Sequence, residues 1–228
     1  MKPSGSWDPV WEQVFKSREW GKYPPEDLIR FVARNFYPAR DRSRVKLLEL
    51  GCGTGANIWF MAREGFDAYG VDGSPTAITC AKQRLEAEHL PAHLKVGDIT
   101  KLEQLFPPSS QFDAIIDVCC LQHNRLSNVV RILSQALAQL RPGGKVFSML
   151  IAGDSMSKAS GREIEPGTFV DITSGPYAGI GLTHFFTLKE TKKLFSVFTS
   201  LQIEHSIRSF NQRKDTNKHW VVQGTKPE

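Results

Sequence analysis

From residue 46 the chain alternates short apolar runs with helical segments, and the first junction in that rhythm is "LELGCGTGANIWF", Leu48 to Phe60. There an apolar run meets glycines at alternate positions, Gly51, Gly53 and Gly55, before a helical pattern begins. Glycines at a strand-to-helix turn let the backbone approach a ligand closely. The rhythm continues with "FDAYGVD" as a strand and "SPTAITCAKQRLEAEHL" as a helix, with Ser74 as N-cap and Pro75 in its first turn. "HLKVGD" and "FDAIIDV" read as strands, "LSNVVRILSQALAQL" as an amphipathic helix, and "RPGGKVFSMLI" as a turn and a strand. Strands separated by helices imply a parallel sheet covered on both faces, the doubly wound α/β class.

The flanks are organised differently. Val10, Trp11, Val14 and Phe15 have helical spacing, and Pro24 and Pro25 followed by Glu26 and Asp27 suit a helix start. Residues 1–40 are therefore expected to form a helical cap ahead of a core over 46–150. Residues 152–186 lack clear periodicity and are rich in Gly, Ser and Thr, a length uncommon for a passive connection. Phe169, Tyr177, Ile180, Leu182 and Phe185 are too many apolar groups for a solvated loop. The segment is expected either to roof an acceptor pocket as a lid or to pack permanently on the sheet. Residues 187–228 supply a helix with a Thr187/Glu190 capping box and then two strands, an antiparallel hairpin at the sheet edge. All 228 residues are read as one domain.

Composition narrows the function classes. With 40% hydrophobic and 23% charged residues the chain is ordinary globular protein. No apolar run approaches a membrane span, and the N-terminus lacks the apolar core of a signal peptide, so a cytoplasmic protein is expected. Cys52, Cys80, Cys119 and Cys120 fit neither a metal knuckle nor a disulfide framework; reduced thiols and no metal are expected. The net charge of +5 is scattered, whereas phosphate binding calls for a basic stripe, so a nucleic-acid partner is disfavoured.

Two ligands use a glycine-rich turn on such a sheet. "GCGTGA" loosely satisfies the dinucleotide pattern, with Asp72 placed for a ribose. A short-chain dehydrogenase would also need a Lys four residues after a Tyr, and none of Tyr23, Tyr37, Tyr69 and Tyr177 has one. Glu49, at the mouth of the first strand, could instead face an ammonium group. "LLELGCGTGANIWFMAREGFDAYGVDGS", "VGDIT", "FDAIIDVCCLQH" and "LRPGG" resemble successive motifs of the class I S-adenosylmethionine-dependent methyltransferases. The closer likeness is to their small-molecule branch, which includes ubiquinone-pathway and sugar methyltransferases. The resemblance implies a Rossmann-like, seven-stranded, mostly parallel sheet of order 3-2-1-4-5-7-6.

It also implies roles. Gly51, Gly53 and Gly55 would wrap the methionine part of S-adenosylmethionine, Glu49 would meet its ammonium, and Asn57 its carboxylate. Asp72 would accept from the ribose hydroxyls, a strand-end cap being its other reading; Asp98 and the Ile99 amide would take the adenine. Asp117 and Cys119 would line the methionine and reacting methyl. Trp20 and Tyr23 would close over the cofactor or simply pack the N-terminal helix. His123 or His184 would serve as general base for an alcohol acceptor, unless each is a capping or core histidine. "DVCCL" differs from the "DPPY" pattern of enzymes that methylate exocyclic base amines. The expected function is methyl transfer to a small molecule with S-adenosylhomocysteine as product. Methylation of protein or RNA, and cofactor binding without catalysis, are the alternatives.

Overall fold

A computed structural model describes residues 7–155 and 160–228. The core begins with β1 (Lys46–Leu50), α3 (Ala56–Arg63), β2 (Asp67–Asp72), α4 (Pro75–Glu86) and β3 (His93–Val96), preceded by α1 (Val10–Ser17) and α2 (Glu26–Phe36). It continues through α5 (Leu102–Leu105), β4 (Phe112–Val118), α6 (Leu126–Gln139) and β5 (Leu140–Ile151). Next come β6 (Arg162–Glu165), β7 (Thr168–Val170), β8 (Thr183–His184) and α7 (Leu188–Leu194), and the chain ends in β9 (Thr199–Phe210) and β10 (Asp215–Thr225). Seven strands form one sheet of order β3-β2-β1-β4-β5-β10-β9. The five strands from β3 to β5 run parallel, while β10 pairs antiparallel with β5 and β9 with β10. This is the expected doubly wound order with its antiparallel C-terminal hairpin. No helix among the described residues is long and apolar enough to cross a membrane.

Side-chain alternation explains the two layers. Leu47, Ala114, Ile116, Phe147 and Met149 pack with α2, α3 and α4 on one face. Leu48, Ile115, Val146 and Leu150, displaced by one residue, pack with α6 and α7 on the other. The helix ends follow the sequence: the Ser74 hydroxyl accepts from the Ala77 amide, and Thr187 and Glu190 complete a capping box. Gly55 begins α3 at φ +78°, and a Cβ there would meet the Ala81 Cβ at 2.7 Å, so the third glycine of the loop serves helix–helix approach.

The segment after β5 is more ordered than its composition suggests. Within it β6, β7 and β8 make a separate antiparallel sheet; residues 156–159 of the expected lid lie outside the described residues. Phe169, Ile172, Tyr177, Ile180 and Phe185 bury themselves against Val14 and Ile151, with Trp11 alongside, in a third apolar cluster. The inserted sheet and α1 thus share one core. Helix α1 is also tied to the domain by Glu12, which accepts from the Ser74 and Thr76 hydroxyls. Those bonds hold the Glu12 carboxyl down at about 2.

Two predictions follow from these contacts. Gly55→Ala should destabilise the fold by roughly 1–3 kcal/mol, from the left-handed backbone and the Ala81 clash, read as a lower urea midpoint. Because the folded carboxyl sits below its unfolded value, Glu12 stabilises α1 docking above about pH 4.5 and loses that effect towards pH 2. Glu12→Gln should accordingly speed amide exchange in α1 at neutral pH while leaving β1 and β4 protected.

Candidate active site

The parallel strands end on one edge of the sheet, and the loops that follow them open onto a cavity of about 430 Å³. Its floor is the turn after β1. Gly51 and Gly53 adopt φ of +64° and +51°. A Cβ on Gly51 would collide with the Cys120 Sγ at 2.1 Å, and one on Gly53 would touch the Phe15 ring at 3.5 Å. Bare backbone is therefore required by close neighbours as well as by the turn.

The acidic groups divide into several roles. Asp72, at the end of β2, accepts from the Gly53 amide (2.9 Å) through one oxygen and from the Ser74 amide (2.8 Å) through the other. It lines the cavity while clasping the glycine turn to the turn after β2. The strand-end cap and the wall position thus belong to the same carboxylate. Burial raises its pKa, opposed by those two amide bonds. Glu49 is buried with one oxygen bound by the Asn57 side-chain amide and the other, Oε2, without a hydrogen-bond partner. Burial pushes its pKa up to about 8, with Asp117 and Asp72 adding repulsion and Asn57 opposing. Asp98 and Ile99 line the cavity below β3, where Asp98 also caps a short 3₁₀ turn through the Thr100 amide.

Asp117 departs from expectation. Its side chain accepts from the Cys120 and Leu121 amides and the Ser148 hydroxyl, and it does not line the cavity. Burial raises it to about 6. Its work is to pin the turn after β4, which holds Cys119 at φ +61° on the cavity wall. Asn57 lines the wall beside Glu49, whereas Gly55 faces α4.

The two expected histidines separate. His123 lines the cavity, packed 4.6 Å centroid to centroid from Trp11. Its Nδ1 donates to the Leu182 carbonyl (3.0 Å), leaving Nε2 to accept from the Gln122 amide (3.3 Å). Burial depresses its pKa to about 4, so the ring is neutral at physiological pH. His184 lies away from the cavity on β8, buried against Phe186, with Nδ1 on the Thr168 hydroxyl (2.7 Å). It is a core histidine of the inserted sheet, because strand pairing turns it toward Thr168 and Glu190.

Trp20 and Tyr23 stand on the rim, 41% and 75% exposed; Trp20 packs edge-on against Trp11 and Phe15, and Tyr23 against Trp59. His219 stands in no motif, and sequence reasoning missed it. It projects from β10 into the cavity, where its Nε2 meets the Tyr177 hydroxyl at 3.0 Å. Trp7, Asp8 and Asn217 also line the cavity without any local pattern to mark them. Among the described residues no Lys or Arg lines it, and no cluster of His, Cys, Asp and Glu is arranged for a metal ion.

Residues 47–144 match the methyltransferase domain family. The chain is 35% identical over 102 residues to a demethylmenaquinone methyltransferase of Tropheryma whipplei, covering 44% of this chain and 39% of that protein. It is 32% identical over 128 residues to a tRNA U34 carboxymethyltransferase of Shewanella baltica, covering 54% and 36%. The chain thus spans under two fifths of the length of these curated relatives. A SAM-dependent methyltransferase structure from Methanosarcina mazei superposes with a TM-score of 0.65 at 22% identity, covering 80% of this chain and 92% of that one. Residues 47–144 are thus similar to the methyltransferase domain family, and the sheet that carries them has the same fold as the Methanosarcina mazei structure.

Proposed function

We propose that this protein transfers a methyl group from S-adenosylmethionine to a small-molecule acceptor and releases S-adenosylhomocysteine. The observation that carries the reading is a row of acids along one wall: Glu49 with an unpartnered buried oxygen, then Asp72, then Asp98, beside the bare glycine turn. An ammonium, a ribose diol and an adenine amine present donors in that order. The pyrophosphate of a dinucleotide would meet these acids with no Lys or Arg in the described lining.

Bound there, the cofactor supplies a methyl already activated on a sulfonium. The chain's own task is alignment and exclusion of water. Glu49 would receive the ammonium, oriented by Asn57. Asp72 would use its remaining lone pairs on the ribose while its amide bonds hold the loop in shape. Asp98 and the Ile99 amide would take the adenine, and Cys119 would border the reacting methyl. Trp20 and Tyr23 would close the rim. His123 and His219 are the histidines at the acceptor side, both kept neutral by burial; to take a proton from an alcohol through Nε2, either would first give up its bond to Gln122 or Tyr177. The roof of α1 and the inserted sheet supports a small acceptor. Similarity to a tRNA-modifying protein keeps RNA as the second reading, which would call for cations at the mouth.

Calorimetry should detect binding of S-adenosylmethionine and S-adenosylhomocysteine; binding of NAD in their place would overturn the proposal. Asp72→Ala should weaken S-adenosylhomocysteine binding by about tenfold to a hundredfold, since ribose contact and loop support go together. An unchanged dissociation constant would remove Asp72 from the site.

Glu49 makes a pH prediction. In the free protein its carboxyl holds a proton up to about pH 8, and an ammonium beside it favours the ionised form. Binding should therefore release a proton at pH 7, and affinity should rise with pH towards about 8, where the ligand's own α-ammonium begins to lose its charge. Titrations in two buffers of different ionisation enthalpy would count the released proton, and Glu49→Gln should abolish that release.

A further inference from the structure

The cavity has two halves of different chemistry. One follows the acids at the ends of β1, β2 and β3. The other lies between Cys119 and the roof of α1 and the inserted sheet, and holds Trp11, Gln122, His123, Tyr177, Asn217 and His219. Apart from Asp8, the polar groups named in that half are uncharged: two imidazoles, a phenol and two amides. The imidazoles stay neutral because burial disfavours their charged form, and burial raises the Tyr177 phenol. These groups bind one another as well. The Tyr177 hydroxyl and His219 Nε2 share a hydrogen bond (3.0 Å), and the Gln122 carbonyl oxygen accepts from the Ile151 amide (2.8 Å).

The acids around the cavity face no cationic side chain among the described lining residues. Asp8, Glu49, Asp72 and Asp98 line it, with no Lys or Arg among the described residues. Asp8 belongs to the second half, at the start of α1, where it accepts from the Val10 amide (3.0 Å) and its field reaches His123. A phosphate or carboxylate brought here would lose its hydration and find no Lys or Arg among the described lining residues to replace it. A flat neutral group would stack on the indole of Trp11, and an ammonium would gain from the aromatic faces and from Asp8.

From this juxtaposition we propose that the acceptor is an uncharged or cationic ring-bearing alcohol or amine, and that the site rejects phosphorylated and carboxylate-bearing molecules. The proposal rests on the methyltransferase reading and specifies its substrate class. In the transfer, an acceptor bound as an ammonium first gives up a proton to water, and a lone pair of the neutral oxygen or nitrogen then forms the bond to the methyl carbon. The carbon–sulfur bond breaks with its electron pair passing to sulfur, and the acceptor's proton leaves to a neutral imidazole or to water.

The test uses four matched probes: 2-naphthol, 2-naphthylmethylamine, 2-naphthoic acid and 2-naphthyl phosphate. Equilibrium dialysis is run on the full chain loaded with S-adenosylhomocysteine and, separately, with sinefungin, whose amine mimics the positive charge of the sulfonium. The alcohol and the amine should bind roughly tenfold or more tightly than the acid and the phosphate in both complexes. Equal or tighter binding of either anion, or no discrimination within the series, would overturn the proposal. Asp8→Asn, which keeps an oxygen for the Val10 amide, should weaken the amine by about threefold to tenfold and leave the alcohol unchanged. Equal loss for both would remove Asp8 from charge selection. Failure of S-adenosylhomocysteine and sinefungin to bind would instead sink the methyltransferase reading itself, so the two failures are distinguishable.

Discussion

The carboxylate of Asp72 joins the two turns on which the site depends. One oxygen holds the Gly53 amide and the other the Ser74 amide, so the loop after β1 and the start of α4 are fixed to each other at the edge of the sheet. Both bonds are short, buried and charge-assisted, the strong kind of protein hydrogen bond. Without them the left-handed glycines would lack a reason to hold one conformation, and the bare backbone facing the cavity would not be preorganised. Ser74 extends the link outward, since its hydroxyl caps α4 and also donates to Glu12 of α1. A continuous chain of hydrogen bonds thus runs from the floor of the cavity to its roof.

That roof explains why the N-terminal helix and the segment after β5 belong together. Neither has enough apolar surface to be stable alone. Helix α1 has eight residues, and short isolated helices are marginal in water. The three-stranded sheet of β6, β7 and β8 is equally small. They bury Val14, Phe169, Tyr177 and Phe185 against each other and against Ile151 at the end of β5. The same packing turns Trp11 and Tyr177 toward the cavity. On the opposite wall burial, with lesser repulsion from Asp117 and Asp72, raises the proton affinity of Glu49. A carboxyl so placed is poised to ionise beside a cation.

Much of the fold was legible in the chain. Period-two apolar runs separated by helical ones specified the parallel sheet, and the Ser74 and Thr187 caps marked helix starts because a hydroxyl there has a local partner. Glu49, Asp72 and Asp98 could be placed at the cavity because each lies at, or just past, the end of a strand on that edge. Asp117 follows the same rule and still misled, since Ser148 and two amides consume its oxygens and nothing local reveals a partner 31 residues away. His184 misled for a similar reason: its orientation is set by pairing with β7.

By itself, then, the sequence determined the sheet class, the glycine turn and the acidic row, all products of short-range pattern and strand polarity. Tertiary structure alone decided which side chains meet the second ligand. Tyr177 and His219 are 42 residues apart and share a hydrogen bond only because β10 returns beside β5 and the inserted sheet folds over both. Contacts of that range depend on how whole layers pack, and packing leaves no period in a chain for a reader to count.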